Sequence, residues 1–386
     1  MTDWITTKIT AELVRGAIEL EDTGRGLLPH RLPAWARAQI PDVRLTIAEA
    51  QPAGMRLVFR TDATTLELDT LQTKRVYVGA PEQPSGTFTL VVDGRVLAHT
   101  SVPGGNTLLV DPVTVETELR PGSPGVARFP ELPAGAKTVE IWLPHNEQTE
   151  LLALRTDAPV EPVRAERPVW LHHGSSISHG SNADGPTTTW PAVAARAAGV
   201  DLINLGFSGN ALLDPFVART LRDTPADVIS MKIGINLTNG DLMRLRAFTP
   251  AVHGFLDTIR EGRPDTPLVL VSPLYCPIQE DTPGPVAMDT EALARGDVQF
   301  IATGDPDEVA AGKLTLRVIR DELARIVEQR SDPHLSYVDG LHLYGPADYD
   351  ELPLPDGLHP DTAAHRRIAD RFVSTGVLST DRSLQG

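Results

Sequence analysis

The chain has 386 residues, of which 41% are hydrophobic and 22% are charged, and its formal net charge is −16. A chain of this length usually forms two domains, and the composition is typical of a folded rather than a disordered protein. The negative charge repels phosphate backbones and anionic lipid headgroups, so we expect neither nucleic acid nor a membrane as a partner.

The sequence also lacks the marks of a membrane-spanning, exported or disulfide-bonded protein. It contains no run of about 18 apolar residues, and its N-terminus has no basic segment followed by an apolar one. A single cysteine, Cys276, excludes an internal disulfide and a cysteine-rich zinc site. We expect Cys276 to be a small buried residue and the protein to be cytoplasmic; its oligomeric state stays open.

The first 165 residues carry the pattern of short β-strands. Apolar and polar residues alternate in three runs, Met55–Arg60, Phe88–Val92 and Val139–Leu143. The pair Asp93-Gly94, which separates two apolar runs, predicts a β-hairpin. Short strands punctuated by Gly and Pro predict an all-β sandwich of the jelly-roll type over residues 1–165. Binding of substrate or carbohydrate is its candidate role.

After a predicted linker at Thr156–Pro168, residues 166–386 alternate between apolar runs and helical patterns. The predicted strands are Val169–Leu171, Asp201–Leu205, Asp227–Ile233, Pro267–Val271 and Leu335–Val338. The predicted helices are Trp190–Ala198, Leu242–Arg260, Leu314–Arg330 and Asp361–Val373. This order predicts an α/β domain in which helices cover both faces of a five-stranded parallel sheet. Ligands of such sheets bind outside the carboxyl ends of the strands.

Polar clusters follow these predicted strands. The clusters are Gly174–Gly180, Asn204–Asn210, Gly234–Asn236 and, beyond the fifth strand, Asp356–Pro360. Because the carboxyl ends of parallel strands share one edge, we expect the fold to gather all four clusters on one rim.

The four clusters together resemble the SGNH (GDSL-like) hydrolase superfamily, in which short blocks supply Ser, Gly, Asn and His. Gly174-Ser175-Ser176-Ile177 matches the GDSL block, with Ser175 where aspartate usually stands. The resemblance covers about residues 166–376 and implies a flavodoxin-like three-layer α/β/α domain. It implies a catalytic triad of Ser176, Asp356 and His359, and an oxyanion hole formed by Ser176, Gly209 and Asn236. The predicted sandwich is also similar to that of a narrower group of these enzymes, which includes a salicylyl transferase of tetracycline biosynthesis.

These residue types suit acyl transfer chemically. A serine hydroxyl becomes a competent nucleophile when an imidazole accepts its proton, and His359 would do this and then protonate the leaving alcohol. Asp356, three residues earlier, would orient the imidazole. The backbone N–H groups of Ser176 and Gly209 and the amide of Asn236 would stabilise the oxyanion.

Two similar patterns compete with this assignment. Asp339-Gly340-Leu341-His342 repeats the Asp-x-x-His spacing, but only the later copy is followed by Pro360 and a helix, so we interpret the earlier copy as structural. Ser208 does not lie in a Gly-x-Ser-x-Gly elbow, and we interpret it as a hydrogen-bonding loop residue.

Several histidines and aspartates suggest a metal cluster as an alternative; they are His172, His173, His179, His342, His359, Asp339 and Asp356. No predicted helix presents two of the histidines four residues apart, and the His-Glu-x-x-His motif is absent. No glycine-rich nucleotide-binding motif is present either. We expect neither a metal nor a cofactor.

The segment Tyr275–Lys313 is long for a loop and carries eight acidic residues against Arg295 and Lys313. It is either a solvated insertion with some helix or a lid that shapes the acyl or acceptor pocket.

Three functions stay open at this stage. The first is hydrolysis of a small carboxylic ester through an acyl-enzyme, and the second is transfer of the acyl group from a thioester donor to a hydroxyl of a sugar or natural product. The third is a binding protein with an incidental hydrolase-like domain, which the intact five-residue set disfavours.

Overall fold

The computed structural model describes residues 4–79, 84–111 and 114–379. The chain divides into two units. One reaches to Arg167 and includes the short segments 184–187 and 202–204, and the other is formed by the rest of the chain from Pro168 onward.

The N-terminal unit consists mainly of strands. They are β1 (Ile5–Thr7), β2 (Val14–Arg15), β3 (Glu19–Asp22), β4 (Leu27–His30), β5 (Arg56–Thr61), β6 (Leu66–Tyr77), β7 (Thr87–Val92), β8 (Arg95–Ser101), β9 (Asn106–Val110), β10 (Thr117–Arg120), β11 (Gly125–Phe129), β12 (Lys137–Trp142), β13 (Gln148–Thr156) and β14 (Val160–Pro162).

These strands form two sheets. The larger has the order β10-β9-β6-β13-β4-β3, with β1 beside β13 and β11 beside β6; the smaller has the order β14-β5-β12-β7-β8, with β2 beside β5. Leu57, Phe88 and Ile141 of the smaller sheet share one apolar core with Leu68 and Leu154 of the larger. The predicted β-sandwich is therefore confirmed.

The predicted hairpin is also present. β7 and β8 pair antiparallel with Val92 opposite Arg95, and the turn residues Asp93 and Gly94 have φ angles of 47° and 77°. Positive φ at both central residues is the requirement of the type I′ turn, which Asp-Gly satisfies.

Two details of the N-terminal half differ from the prediction. Helices α1 (Ala34–Arg37) and α2 (Val43–Ala50) interrupt the strands, and α2 begins where the Asp42 side chain accepts a hydrogen bond from the N–H of Leu45. Part of the predicted linker is strand β14, which pairs with β5. We did not predict this strand because proline and glutamate are uncommon in strands. Proline is tolerated here because β14 lies at the edge of its sheet.

The C-terminal part of the chain, from Pro168 onward, has seven strands, ten α-helices and one 3₁₀-helix among its described residues. Its strands are β15 (Val169–Gly174), β16 (Asp201–Gly206), β17 (Val228–Lys232), β18 (Leu268–Val271), β19 (Val286–Met288), β20 (Phe300–Ala302) and β21 (Leu335–Val338). Its helices are α3 (Ser176–His179), α4 (Trp190–Ala198), α5 (Pro215–Asp223), α6 (Ile235–Asn239), α7 (Leu245–Gly262), α8 (Thr290–Ala294), the 3₁₀-helix (Pro306–Ala311), α9 (Leu316–Arg330), α10 (Gly340–Leu343), α11 (Pro346–Glu351) and α12 (Thr362–Ser374).

Five of these strands form one sheet in the order β16-β15-β17-β18-β21. The pairs β15–β17, β17–β18 and β18–β21 are parallel. Numbered along the unit this order is 2-1-3-4-5, the flavodoxin-like order, in which the first strand lies inside the sheet. The predicted fold class is therefore confirmed, and the carboxyl ends of β15, β16 and β17 lie side by side.

The four predicted helices correspond to α4, α7, α9 and α12, whose ends lie within three residues of the predicted ones, whereas α5 was not among the predicted helices. Helix α4 has the predicted bounds, with Pro191 in its first turn and Gly199 at its end in the left-handed conformation. Within the ranges that the structure describes, no helix combines the length and apolar character that crossing a bilayer requires.

Candidate active site

The predicted nucleophile, Ser176, is the first residue of α3, directly after the buried strand β15. Its side chain is buried, with 4% of the residue exposed. The short helix ends at His179, and its C-cap Gly180 has a left-handed backbone with a φ of 116°. Strand and helix thus hold the serine at the rim where the sheet ends.

Ser176, His359 and Asp356 are joined by hydrogen bonds in that order. His359 Nε2 lies 2.9 Å from Ser176 Oγ, and His359 Nδ1 lies 2.7 Å from Asp356 Oδ2. An ionised carboxylate can only accept, so Nδ1 carries the proton and Nε2 offers its lone pair to the serine hydroxyl. This is the tautomer that a general base needs.

The carboxylate of Asp356 is held by several donors. Its Oδ1 accepts the N–H groups of Leu358 and His359 at 2.9 and 2.7 Å. Burial alone would raise the pKa of Asp356, but the His359 side chain and these two backbone donors outweigh it and lower the pKa below its usual range. Asp356 therefore stays ionised at neutral pH and keeps the imidazole oriented.

The loop of Asp356 and His359 does not directly follow the fifth strand. Two short helices, α10 and α11, lie between β21 and this loop, and α12 begins just after it. The connection is long enough for His359 to reach Ser176.

Asn236 lies in α6, directly after β17, and is 3% exposed. Its Oδ1 accepts the N–H of Ala211 at 3.0 Å, which ties it to the loop that carries Gly209. Since the oxygen faces that loop, the amide Nδ2 is the group left to donate to a ligand.

Gly209 lies in the same loop with a φ of 74°. Among the described residues, no atom lies within 4 Å of the position that a Cβ would take there. The left-handed backbone accounts for glycine at this position. Gly209 is exposed, and its backbone N–H is the donor that we predicted for the oxyanion.

Two residues that the sequence did not single out contact the Asp356–His359 loop. Asn182 Nδ2 donates to Asp356 Oδ2 at 3.2 Å and to the His359 carbonyl oxygen at 3.4 Å. The Phe300 ring meets the His359 ring edge to face, with centroids 5.8 Å apart. Neither lies in a recognisable motif, although asparagine at a φ of 64° suits the left-handed position of Asn182.

The two competing patterns, Asp339–His342 and Ser208, make local hydrogen bonds of the kind that hold a helix end or a loop. Asp339 accepts the N–H of Leu341 and thereby caps α10, on which His342 is exposed. The backbone of Ser208 hydrogen bonds on both sides: its N–H donates to His179 Nδ1 at 3.3 Å, and its carbonyl accepts from Asn210 at 2.6 Å.

The buried thiol of Cys276 lies against the same loop, with its Sγ 3.5 Å from the Gly357 carbonyl oxygen. Burial raises the pKa of Cys276 to about 12. The thiolate is the reactive form of cysteine, so Cys276 is a poor nucleophile at neutral pH.

The remaining histidines near the site are packed in the interior. His172 lies between the hydroxyls of Ser230 and Ser178, and His365 Nε2 donates to the Ser181 carbonyl. Burial lowers the pKa of His365 to about 4 and that of His173 also to about 4. Among the described residues, no three His, Cys, Asp or Glu side chains form a group that could hold a metal ion.

These neutral histidines predict a loss of stability in mild acid. The unfolded chain protonates His173 and His365 near pH 6.5, whereas the folded protein resists protonation until about pH 4. The unfolded state thus binds more protons in this window, so stability is complete above pH 6.5 and falls as pH decreases towards 4.

We expect roughly 2–3 kcal/mol of lost stability per histidine, measured as a decrease in Tm between pH 7 and 4.5 by calorimetry. His365→Asn should weaken this pH dependence. A Tm that stays constant over the same interval would contradict the buried, neutral state of these side chains.

One sequence family matches part of the chain. Residues 166–278 match the sequence model of the GDSL-like Lipase/Acylhydrolase family. No curated protein sequence matches the chain.

Solved structures match over nearly the whole chain. The salicylyl-acyltransferase SsfX3 from a tetracycline biosynthetic pathway is 29% identical, with a TM-score of 0.78 over 97% of this chain and 98% of that one. A GDSL-like lipase described from Bacteroides ovatus is 18% identical, with a TM-score of 0.68 over 97% of each chain. A family two carbohydrate esterase from Cellvibrio japonicus is 13% identical, with a TM-score of 0.57 over 98% of this chain and 99% of that one. The last two likenesses, under 25% identical, concern the fold alone.

Proposed function

We propose that this enzyme cleaves a small carboxylic ester through an acyl-enzyme on Ser176; residues 166–278 match the GDSL-like Lipase/Acylhydrolase family. The observation that carries the proposal is the continuous hydrogen-bonded set Asp356–His359–Ser176.

In the acylation step, Ser176 Oγ attacks the ester carbonyl carbon while its proton passes to His359 Nε2. The imidazolium that forms is stabilised by the ionised Asp356 at 2.7 Å. Collapse of the tetrahedral intermediate breaks the bond between the carbonyl carbon and the alcohol oxygen. His359 then returns the proton to that oxygen, and the alcohol leaves.

The negative charge of the intermediate is on the former carbonyl oxygen. We propose that the backbone N–H groups of Ser176 and Gly209 and the Nδ2 of Asn236 donate to it. These donors are already held by α3, by the loop after β16 and by α6, so little reorganisation is needed as the charge develops.

Deacylation repeats these steps with a second nucleophile. With water the product is the acid, and with an alcohol it is a new ester, so the same residues support hydrolysis and acyl transfer. Acyl transfer from a thioester donor to a hydroxyl of a sugar or natural product is the second candidate. The observation that favours it is the 29% identity over 97% of the chain to an acyltransferase.

Replacing Asn236 by alanine should lower kcat by about 10²–10³ and change KM little, because its donor acts mainly on the oxyanion. The measurement is steady-state hydrolysis of 4-nitrophenyl acetate. Asn239→Ala, at the end of the same helix, is the matched control and should retain activity within about threefold. A loss under about threefold for Asn236→Ala would remove this residue from the site.

The function itself is tested with 4-nitrophenyl esters of increasing acyl length, assayed with and without added alcohols. Release of nitrophenol with recovery of free acid supports hydrolysis. Faster nitrophenol release and formation of a new ester when an alcohol is added support acyl transfer. Absence of nitrophenol release from every ester, in a protein that is folded, would contradict both. Binding of substrate or carbohydrate by the N-terminal sandwich stays a prediction.

A further inference from the structure

The segment between β18 and α9 carries an antiparallel hairpin, β19 and β20, with Met288 opposite Phe300 and Ala287 opposite Ile301. This hairpin lies outside the residues that match the family, 166–278. It contacts the loop that carries Asp356 and His359, and the proposed mechanism assigns it no role.

The hairpin is fastened to the loop by backbone and side-chain hydrogen bonds. The N–H of Phe300 donates to the Asp356 carbonyl oxygen at 2.9 Å, and Gln299 Nε2 donates to the Pro355 carbonyl oxygen at 2.7 Å. A solvated insertion would not need these contacts with the residues that hold the general base.

One face of the hairpin is turned towards His359. The ring of Phe300 meets the imidazole edge to face, at 5.8 Å and an interplanar angle of 79°. Residues directly opposite in an antiparallel pair project from the same face, so Met288 lies on this face beside Phe300. Ala287 and Ile301 lie on the other face.

This face is apolar and incompletely covered. Phe300 is half-buried, and Met288 is 40% exposed. Partly exposed apolar surface next to a general base is suited to contact a substrate.

The proposed mechanism indicates which part of the substrate lies near the face formed by Phe300 and Met288. The alcohol oxygen must come within hydrogen-bond distance of His359 Nε2 to receive its proton, whereas the carbonyl oxygen points towards Asn236. The body of the alcohol therefore lies on the side of His359, where Phe300 stands.

We propose that Phe300 and Met288 form the subsite for the alcohol part of the substrate, and that this alcohol has an apolar, ring-sized body. The inference rests on the proposed ester cleavage at Ser176 and names the class of leaving and acceptor alcohol for that site.

Three esters test the subsite: ethyl acetate, 2-phenylethyl acetate and ethyl 3-phenylpropanoate. The second places a phenyl ring on the alcohol and the third places it on the acyl group, while the alcohols keep similar acidity. The measurement is kcat/KM for the wild type, Phe300→Ala, Phe300→Leu and the control Ile301→Ala, which changes the opposite face. Alanine at position 300 keeps the backbone N–H that binds Asp356.

The wild type should prefer 2-phenylethyl acetate to ethyl acetate, and Phe300→Ala should reduce that preference by roughly 5–20-fold. Phe300→Leu should restore part of it, and Ile301→Ala should leave it within about twofold. The ratio of ethyl 3-phenylpropanoate to ethyl acetate should not change in any variant.

Other results would overturn the subsite. An equal loss on all three esters in Phe300→Ala would mean that Phe300 only positions His359. A selective loss on ethyl 3-phenylpropanoate would place the acyl group there. An unchanged preference would exclude substrate contact. If the wild type cleaves none of the esters, the proposed function itself fails, which is a separate outcome.

Discussion

Replacing Ser176 by alanine is expected to lower kcat for ester cleavage by about 10⁴–10⁶ and to leave the fold intact. The hydroxyl is the atom that bonds to the acyl group, and no other group in the set Asp356–His359–Ser176 can form the acyl-enzyme. Among the described residues, the Ser176 side chain makes one hydrogen bond, to His359 Nε2. Its loss should therefore change the free energy of unfolding by about 1 kcal/mol or less.

Ser208→Ala is the matched control for this substitution. Ser208 lies on the neighbouring loop, and its observed hydrogen bonds are made by its backbone. We expect kcat of the control to stay within about threefold of the wild type. A Ser176→Ala variant that keeps full activity, together with an inactive Ser208→Ala, would move the nucleophile to the second loop.

The second large effect on kcat is expected at the histidine of the later Asp-x-x-His sequence, His359, and not at that of the earlier one, His342. His359→Ala should lower kcat nearly as much as Ser176→Ala, because members of a triad act as a unit. Asp356→Asn should cost less, since an imidazole without its carboxylate still accepts a proton weakly. The measurement is kcat on 4-nitrophenyl acetate at neutral pH.

His342→Ala controls for the loss of any histidine near the rim. His342 is exposed on α10, and its carbonyl oxygen accepts a hydrogen bond from Arg371 that alanine would keep. Its kcat should remain within about tenfold of the wild type, any loss arising from packing. Equal and severe losses of kcat in both histidine variants would leave the general base unassigned. A His359→Ala variant that stays active would refute His359 as the base.

Much of the fold followed from local patterns in the sequence. Strands β15, β17 and β18 are buried on both faces, and such strands read as continuous apolar runs. The turn at Asp93-Gly94 was predictable because its chemistry selects one turn type. Strand β14 was missed because a three-residue edge strand containing proline has no such pattern.

The site was predictable where a residue belongs to a motif at the end of a strand. Ser176, Gly209 and Asn236 each follow such a strand, and the topology brings those strand ends together. Phe300 could not be predicted, because its contact with His359 depends on a hairpin that hydrogen bonds to the Asp356–His359 loop rather than on sequence spacing. The segment Tyr275–Lys313, for which the sequence allowed either a solvated insertion or a lid, thus contacts His359 through the ring of Phe300.

The central claim, that Ser176 is the nucleophile activated by His359, is tested most directly by reaction with a fluorophosphonate followed by peptide mass spectrometry. We expect a single adduct on the peptide that contains Ser176, absent from Ser176→Ala and formed far more slowly in His359→Ala. An adduct on Ser208, an adduct that persists in Ser176→Ala, or no adduct in the wild-type protein would contradict the claim.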